Sequence, residues 1–220
     1  MRISILNEAA PVPGRLNEDS CGVYADGDRL ALFVADGAGQ RTATTRTAGL
    51  FARYGENTTA ARFAALLVRD TFERRQPQRS PAAILREANT ALRQLLAEVY
   101  GELTPAALRQ HEPGLAPYID EDPRLFRMAL PACVATAAEI DMRRGQLEYA
   151  HAGDTCLLLF NADGAIIQPT ADQMGSHDEA ALRLARQIQI ERGAPHLADV
   201  LDDPRVIEAN WRNGLYHNYV

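Results

Sequence analysis

Two short acidic stretches near the N-terminus carry the residue types best suited to chemistry: Asn17-Glu18-Asp19-Ser20 and Val34-Ala35-Asp36-Gly37-Ala38-Gly39. Asp36 follows an apolar run, Arg29 to Ala35, that reads as a buried strand. An acid at the mouth of a strand, beside backbone carbonyls, is a starting point for a hard-cation site. Gly37 and Gly39 let the backbone turn tightly or approach a ligand closely. The same Asp-Gly pair also serves as a plain turn. Cys21 to Ala25 reads as a partner strand, and Asp26-Gly27-Asp28 as the hairpin turn between the two. An antiparallel hairpin sets its outer ends side by side, which brings Glu18 and Asp19 toward Asp36. Carboxylates gathered in this way repel one another unless a cation lies between them. Solvated acids in a capped turn are the alternative.

The elements that must position these acids follow in order. Arg2 to Leu6 reads as a first strand, ended by Pro11, Pro13 and Gly14. Thr42 to Tyr54 has helical character, and Thr58 to Arg75 repeats apolar residues at helical spacing (Phe63, Leu67, Thr71; Ala64, Val68, Phe72). Ser80-Pro81 is a helix start, and the stripe Leu85, Ala88, Leu92, Leu95, Leu96, Val99 carries that helix to about Glu102. Thr104-Pro105 repeats the start signal. His111 to Arg124, with Pro113, Pro117, Pro123 and the acids Asp120-Glu121-Asp122, reads as an irregular surface loop, an insertion over 110–125 in a single domain spanning 1–220. Beyond Phe126 the period changes to that of strands: Ala129 to Ile140, Leu147 to Ala152, Cys156 to Phe160 and Ala165 to Gln168 form an antiparallel meander. A helix over Asp178 to Gly193 follows. Asp202 and Asp203, before Pro204, cap a last helix that ends near Asn213-Gly214. This order predicts an α+β fold, not a doubly wound parallel sheet.

Composition narrows the chemistry. A net charge of −6 leaves no basic footprint for nucleic acid. All 23 basic residues are arginine, which removes a catalytic lysine or Schiff base. Cys21, Cys133 and Cys156 lie far apart, without zinc spacing, and read as small buried hydrophobes in a reducing compartment. No apolar run of about 18 residues argues for a membrane span. A soluble, cytoplasmic protein is expected.

The arrangement resembles the metal-dependent serine/threonine protein phosphatases of type 2C. The resemblance rests on five segments in order: Asn17-Glu18-Asp19-Ser20, Val34-Ala35-Asp36-Gly37-Ala38-Gly39, Ala135-Thr136-Ala137, His151-Ala152-Gly153-Asp154-Thr155 and Thr170-Ala171-Asp172-Gln173. It implies an antiparallel β-sandwich flanked by helices in α-β-β-α layers. It implies two Mn²⁺ or Mg²⁺ ions at one end of the sandwich. Asp36 would bridge both, the Gly37 carbonyl would bind one, Glu18 and Asp19 would hold the second, and Asp154 would help hold a third, weaker ion. A water shared between the ions would attack the phosphorus in line, with Asp36 and Arg15 as the catalytic residues and Arg15 on the phosphate. The implied partners are a phosphoserine or phosphothreonine protein and a cognate kinase, with no nucleic acid and no membrane.

The sequence departs from the family pattern in four places. The expected arginine position holds Gly14, with Arg15 one residue closer to the acids. Ala38 stands where many relatives have histidine, and Gln40 where a second glycine is usual. The late Ser-Asp-Gly and Asn-Asp motifs do not occur before Val220, so the chain is expected to lack C-terminal strands of the sandwich. These departures leave a catalytically weak or inactive phosphatase-like binding module as the alternative function. An unrelated α+β domain whose acids are turn residues is a third reading.

Overall fold

A computed structural model describes residue 7 and residues 17–38, 46–74 and 79–213. The expected strand Arg2 to Leu6, together with Gly14, Arg15, Gly39, Gln40 and Leu215 to Val220, lies outside the described residues.

Strands β1 (Ser20–Asp26) and β2 (Arg29–Gly37) form the expected hairpin, with Asp26 opposite Arg29 and Gly27 turning the chain at φ +56°. β3 (Cys133–Asp141) and β4 (Gln146–Ala152) complete a four-stranded antiparallel sheet in the order β1-β2-β3-β4. β2 does not stop at Ala35. Asp36 pairs with Val134 and Gly37 with Cys133, and the Ala38 amide continues the ladder to the Ala132 carbonyl at 3.1 Å. The site acid is therefore held inside a strand, not at a turn.

Strand alternation sorts the sheet into two faces. Ala31, Phe33 and Ala35 of β2 share one face with Cys133, Ala135 and Ala137 of β3. Helices α2 (Ala60–Glu73) and α3 (Pro81–Tyr100) cover this face with Ala64, Ala65, Val68, Phe72, Ile84, Leu85 and Ala88. Small alanines on both surfaces let the helices lie close, and Phe33 and Phe72 fill the remaining space with ring centroids 4.7 Å apart. Both helices begin as their residues require. The side chains of Thr59 and Ser80 accept from the amides of Arg62 and Ala83, with Pro81 in the first turn.

A second core shares these helices. Leu50 and Phe51 of α1 (Ala48–Phe51), Leu108 of α4 (Pro105–His111) and Ile119 of α5 (Ala116–Glu121) pack there against Phe63, Leu67, Leu92 and Leu96. The segment read as an irregular loop over 110–125 is thus built of short helices. Its prolines sit at helix starts, where no amide donor is needed, and Ile119 and Leu125 anchor it in the interior. The helical turn Pro123–Ala129 also takes the first residues of the strand expected from Ala129. The helical character read over Thr42 to Tyr54 shortens to α1 and one 3-10 turn, Ala52–Tyr54, within the described residues.

The remaining elements are β5 (Leu159–Phe160), β6 (Ile166–Ile167), α6 (Gly175–Arg192) and α7 (Pro204–Asn213). Ala185, Ile188, Val200 and Val206 join α6 and α7 in a third apolar cluster. Asp203 caps α7 as expected: its side chain accepts from the Arg205 amide at 2.9 Å and its carbonyl from the Val206 and Ile207 amides. The α+β class holds. Among the described residues, the second sheet is the short β5–β6 pair, and Val34 and Tyr149 on the outer face of the main sheet are exposed. No helix among the described residues is long and apolar enough to cross a membrane.

Phe33 is 1% exposed and joins sheet to helix. Replacing it with alanine is expected to cost about 3–5 kcal/mol, read as a lower midpoint in urea denaturation with an unchanged slope.

Candidate metal centre

The hairpin register builds the site. Ser20 pairs with Ala35, so Asp19 stands beside Asp36 at the open end of the two strands. Phe33 and Ala35 point toward the helices, so Asp36 points to the opposite face of the sheet. Asp19 and Asp36 share a side-chain hydrogen bond, and the negative charges of Asp19, Asp154 and Glu18 all act on Asp36. The Asp36 carboxyl is pushed up from its ordinary 3.8 to about 7. Burial of the strand end is the largest cause, followed by the hydrogen bond with Asp19 and then the three charges. Asp36 nevertheless remains open to solvent on one side, so the crowding of acids is the part of this shift that a cation would relieve.

Gly37 does not serve the turn that its glycine suggested. A Cβ there would lie 2.7 Å from the Ala61 backbone and 2.8 Å from the Glu18 carbonyl oxygen, so only glycine lets the start of α2 and the acidic stretch close onto the strand. The close approach is to protein backbone. Glu18 is half-buried, and its Oε1 accepts a hydrogen bond from Thr59 Oγ1 at 2.5 Å. Asn17 folds the stretch locally: its Oδ1 accepts from the Asp19 amide at 2.9 Å, and its carbonyl accepts from Arg62 Nη1 at 2.5 Å. Sequence reading missed Thr59 and Arg62. The available signal was a threonine N-cap before an alanine-rich helix, which reveals a helix start but not what else the hydroxyl touches.

Asp154 arrives from the turn after β4. Gly153 adopts φ +94° against Val134, the residue paired with Asp36. The turn is fastened to the segment before α6 by two hydrogen bonds. The Gly153 amide donates to Gln173 Oε1 and the Gln173 amide to the Gly153 carbonyl, both at 3.1 Å. His151 bridges Thr136 (Nδ1 to Oγ1, 2.9 Å) and the Ala171 carbonyl (Nε2 to O, 2.9 Å), and Thr136 reaches Thr155 at 2.7 Å. A carbonyl only accepts, so Nε2 carries a proton, and both ring nitrogens are occupied. His151 ties the strand to the segment before α6. Asp172 accepts from the amides of Met174 and Gly175 at 2.8 and 2.9 Å, which starts α6 earlier than the expected Asp178.

The structure thus brings Asp36, Asp19, Glu18, Gly37 and Asp154 to one end of the sheet, while Arg15 lies outside the described residues. Among the described residues no three His, Cys, Asp or Glu side chains converge closely enough to grip an ion as they stand. The donor chemistry fits a hard divalent cation, since every group is an oxygen and Asp19 and Asp36 already meet through a side-chain hydrogen bond. Cys133 is no competitor. Burial, and then the charge of Asp36, push its thiol up to about 12, so it stays neutral.

Comparison with known proteins identifies the family. The model of the family described as protein phosphatase 2C matches residues 11–194, and the chain belongs to that family. Similar solved structures include RsbX in complex with magnesium, at 16% identity and a TM-score of 0.44 over 73% of this chain and 54% of that one. A Stage II Sporulation E family protein from Thermanaerovibrio acidaminovorans is similar at 19% identity and a TM-score of 0.40, over 73% of this chain and 57% of that one. The chain therefore spans little more than half the length of either. No curated protein matches it.

The raised Asp36 carboxyl couples stability to pH. Its contribution is full below the ordinary value of 3.8 and is lost as the pH rises through about 7, because the folded chain holds a proton that the unfolded chain has released. In chelator, the protein is expected to be more stable at pH 5.5 than at pH 8. Asp36→Asn should remove much of that difference and stabilise the metal-free protein at pH 8, which paired thermal melts would show.

Proposed function

We propose that the chain acts as a metal-dependent phosphatase on phosphoserine and phosphothreonine in proteins, using Mn²⁺ or Mg²⁺. The acids at the end of the sheet carry the reading: Asp36, Asp19, Glu18 and Asp154 have no evident structural use for their mutual repulsion, and a divalent cation would relieve it. Asp36 would hold the cations with Asp19 and Glu18, the Gly37 carbonyl would add a ligand, and Asp154 would serve a weaker ion. When bound, such ions supply Lewis-acid activation of a water and neutralise charge on the phosphoryl oxygens.

The protein's own groups prepare this state. Asp19 and Asp36, now hydrogen-bonded to each other, would turn that contact over to a cation held between them. Glu18, bonded at one oxygen by Thr59, keeps the other for a ligand. The His151 and Thr136 network holds the backbone that carries Asp154. We assign the phosphate contact to Arg15, whose long planar fork suits a phosphoryl group one residue out of the family position. The unpaired cysteines suit a cytoplasmic enzyme, and a kinase would make the phosphoprotein it acts on.

The test is turnover of p-nitrophenyl phosphate and of a phosphothreonine peptide with and without Mn²⁺. Activity should require the metal and fall by at least about 100-fold in Asp36→Asn, the upper end of what outer-shell partners of a metal cost. Metal binding without turnover would assign a binding module instead. A chain that binds no Mn²⁺ would overturn the reading.

A further inference from the structure

We infer that Thr59 and Arg62, at the start of α2, are positioning residues for the acidic stretch 17–19. The inference rests on the reading of Glu18 as a metal ligand. A helix cap needs only an acceptor, and the Thr59 hydroxyl meets that need by accepting from the Arg62 amide at 3.1 Å. Its single proton is left over in an ordinary cap. Here that proton goes to Glu18 Oε1 at 2.5 Å, across 41 residues of sequence. The same helical turn sends Arg62 Nη1 to the Asn17 carbonyl at 2.5 Å, and Asn17 in turn holds the Asp19 amide at 2.9 Å. One end of one helix thereby sets both acids of the stretch.

The arrangement has directional logic. A threonine proton donated to Glu18 Oε1 leaves the other carboxylate oxygen for a cation. It also fixes which oxygen is engaged, so the carboxylate cannot rotate freely. The Arg62 guanidinium sits on a neutral carbonyl, where it orients the chain without forming an ion pair with Glu18 or Asp19. The helix end is itself seated against the strand of Asp36, through the contact at Gly37 with Ala61. Positioning of this kind acts through the ligands and requires no contact with substrate.

The measurement is the Mn²⁺ dissociation constant of the whole chain by isothermal titration calorimetry at pH 7.5. Thr59→Val keeps the shape and removes the hydroxyl, Thr59→Ser keeps donor and acceptor, and Arg62→Met keeps the stem and removes the guanidinium. Thr59→Val and Arg62→Met are expected to bind Mn²⁺ about 10- to 100-fold more weakly, with Thr59→Ser close to wild type. Circular dichroism of the metal-free proteins checks folding. Should Thr59→Val fail to fold, Arg62→Met, which leaves the cap in place, carries the test. Wild-type binding with unchanged affinity in a folded Thr59→Val or Arg62→Met would overturn the positioning role and leave the phosphatase reading standing. No Mn²⁺ binding by the wild type would overturn both.

Discussion

Phe33 lies across from Gly22, and its ring fills the space that a Cβ on Gly22 would need, 2.6 Å away. This contact makes the first hairpin register-specific. A slip of one residue would set Cys21 or Val23 beneath the ring and exchange the two faces of β1. Asp19 would then turn toward the helix side, away from Asp36. The meeting of the two acids is thus a consequence of an aromatic ring packed over a glycine several residues away, on the opposite face of the sheet. The acids sit on one face and their alignment is enforced on the other.

The same economy recurs where other chain segments reach the site. Val134 pairs with Asp36 and also limits Gly153, whose positive φ aims the turn carrying Asp154. Gly37 pairs with Cys133 and also seats the start of α2. Each contact that builds the core at this end of the sheet also places a carboxylate. A loop-borne cluster could relax when its charges repel. Acids held by a strand ladder, a helix start and a doubly bonded turn have less freedom to separate, so the repulsion persists and adds to burial in raising the carboxyl of Asp36.

Much of this was legible in the residues. The apolar alternation and the Asp-Gly-Asp turn expose the hairpin, and antiparallel geometry alone then brings Glu18 and Asp19 to Asp36. Helices with Ser-Pro and Thr-Pro starts declare themselves. Other parts were hidden for physical reasons. Gly37 looks like a turn residue because glycine's commonest use is conformational, whereas here its missing side chain matters for a close approach from a helix far along the chain. The 110–125 segment looks like a loop because prolines and acids dominate it, yet those prolines occupy helix starts, and the two apolar residues that anchor it are too few to show a period. Thr59 was readable as a cap and no more, since a hydroxyl's second partner depends on tertiary contact. The second sheet of the expected sandwich is represented by β5 and β6 alone among the described residues, and strands of two residues carry almost no alternation to read.

Two aspartates in this chain show why the environment of Asp36 is informative. Asp203 is buried at the start of α7, contacted by the guanidinium groups of Arg192 and Arg205. Those contacts, the Arg205 hydrogen bond above all, hold its carboxyl below the ordinary range. Its charge is answered by the protein itself, and its role is complete as a cap. Asp36 is flanked by acids instead: among the described residues, the charges of Asp19, Asp154 and Glu18 act on it, and each raises its carboxyl. Arginine is plentiful in the chain, and Arg62 lies within one helical turn of Thr59, yet its guanidinium is directed to the Asn17 carbonyl. A guanidinium placed on Asp36 would lower its pKa and occupy the lone pairs a cation needs. Repulsion within such a carboxylate cluster carries a standing cost in the folded chain. This asymmetry separates Asp203, whose charge neighbouring arginines answer, from Asp36, whose described neighbours add to its charge.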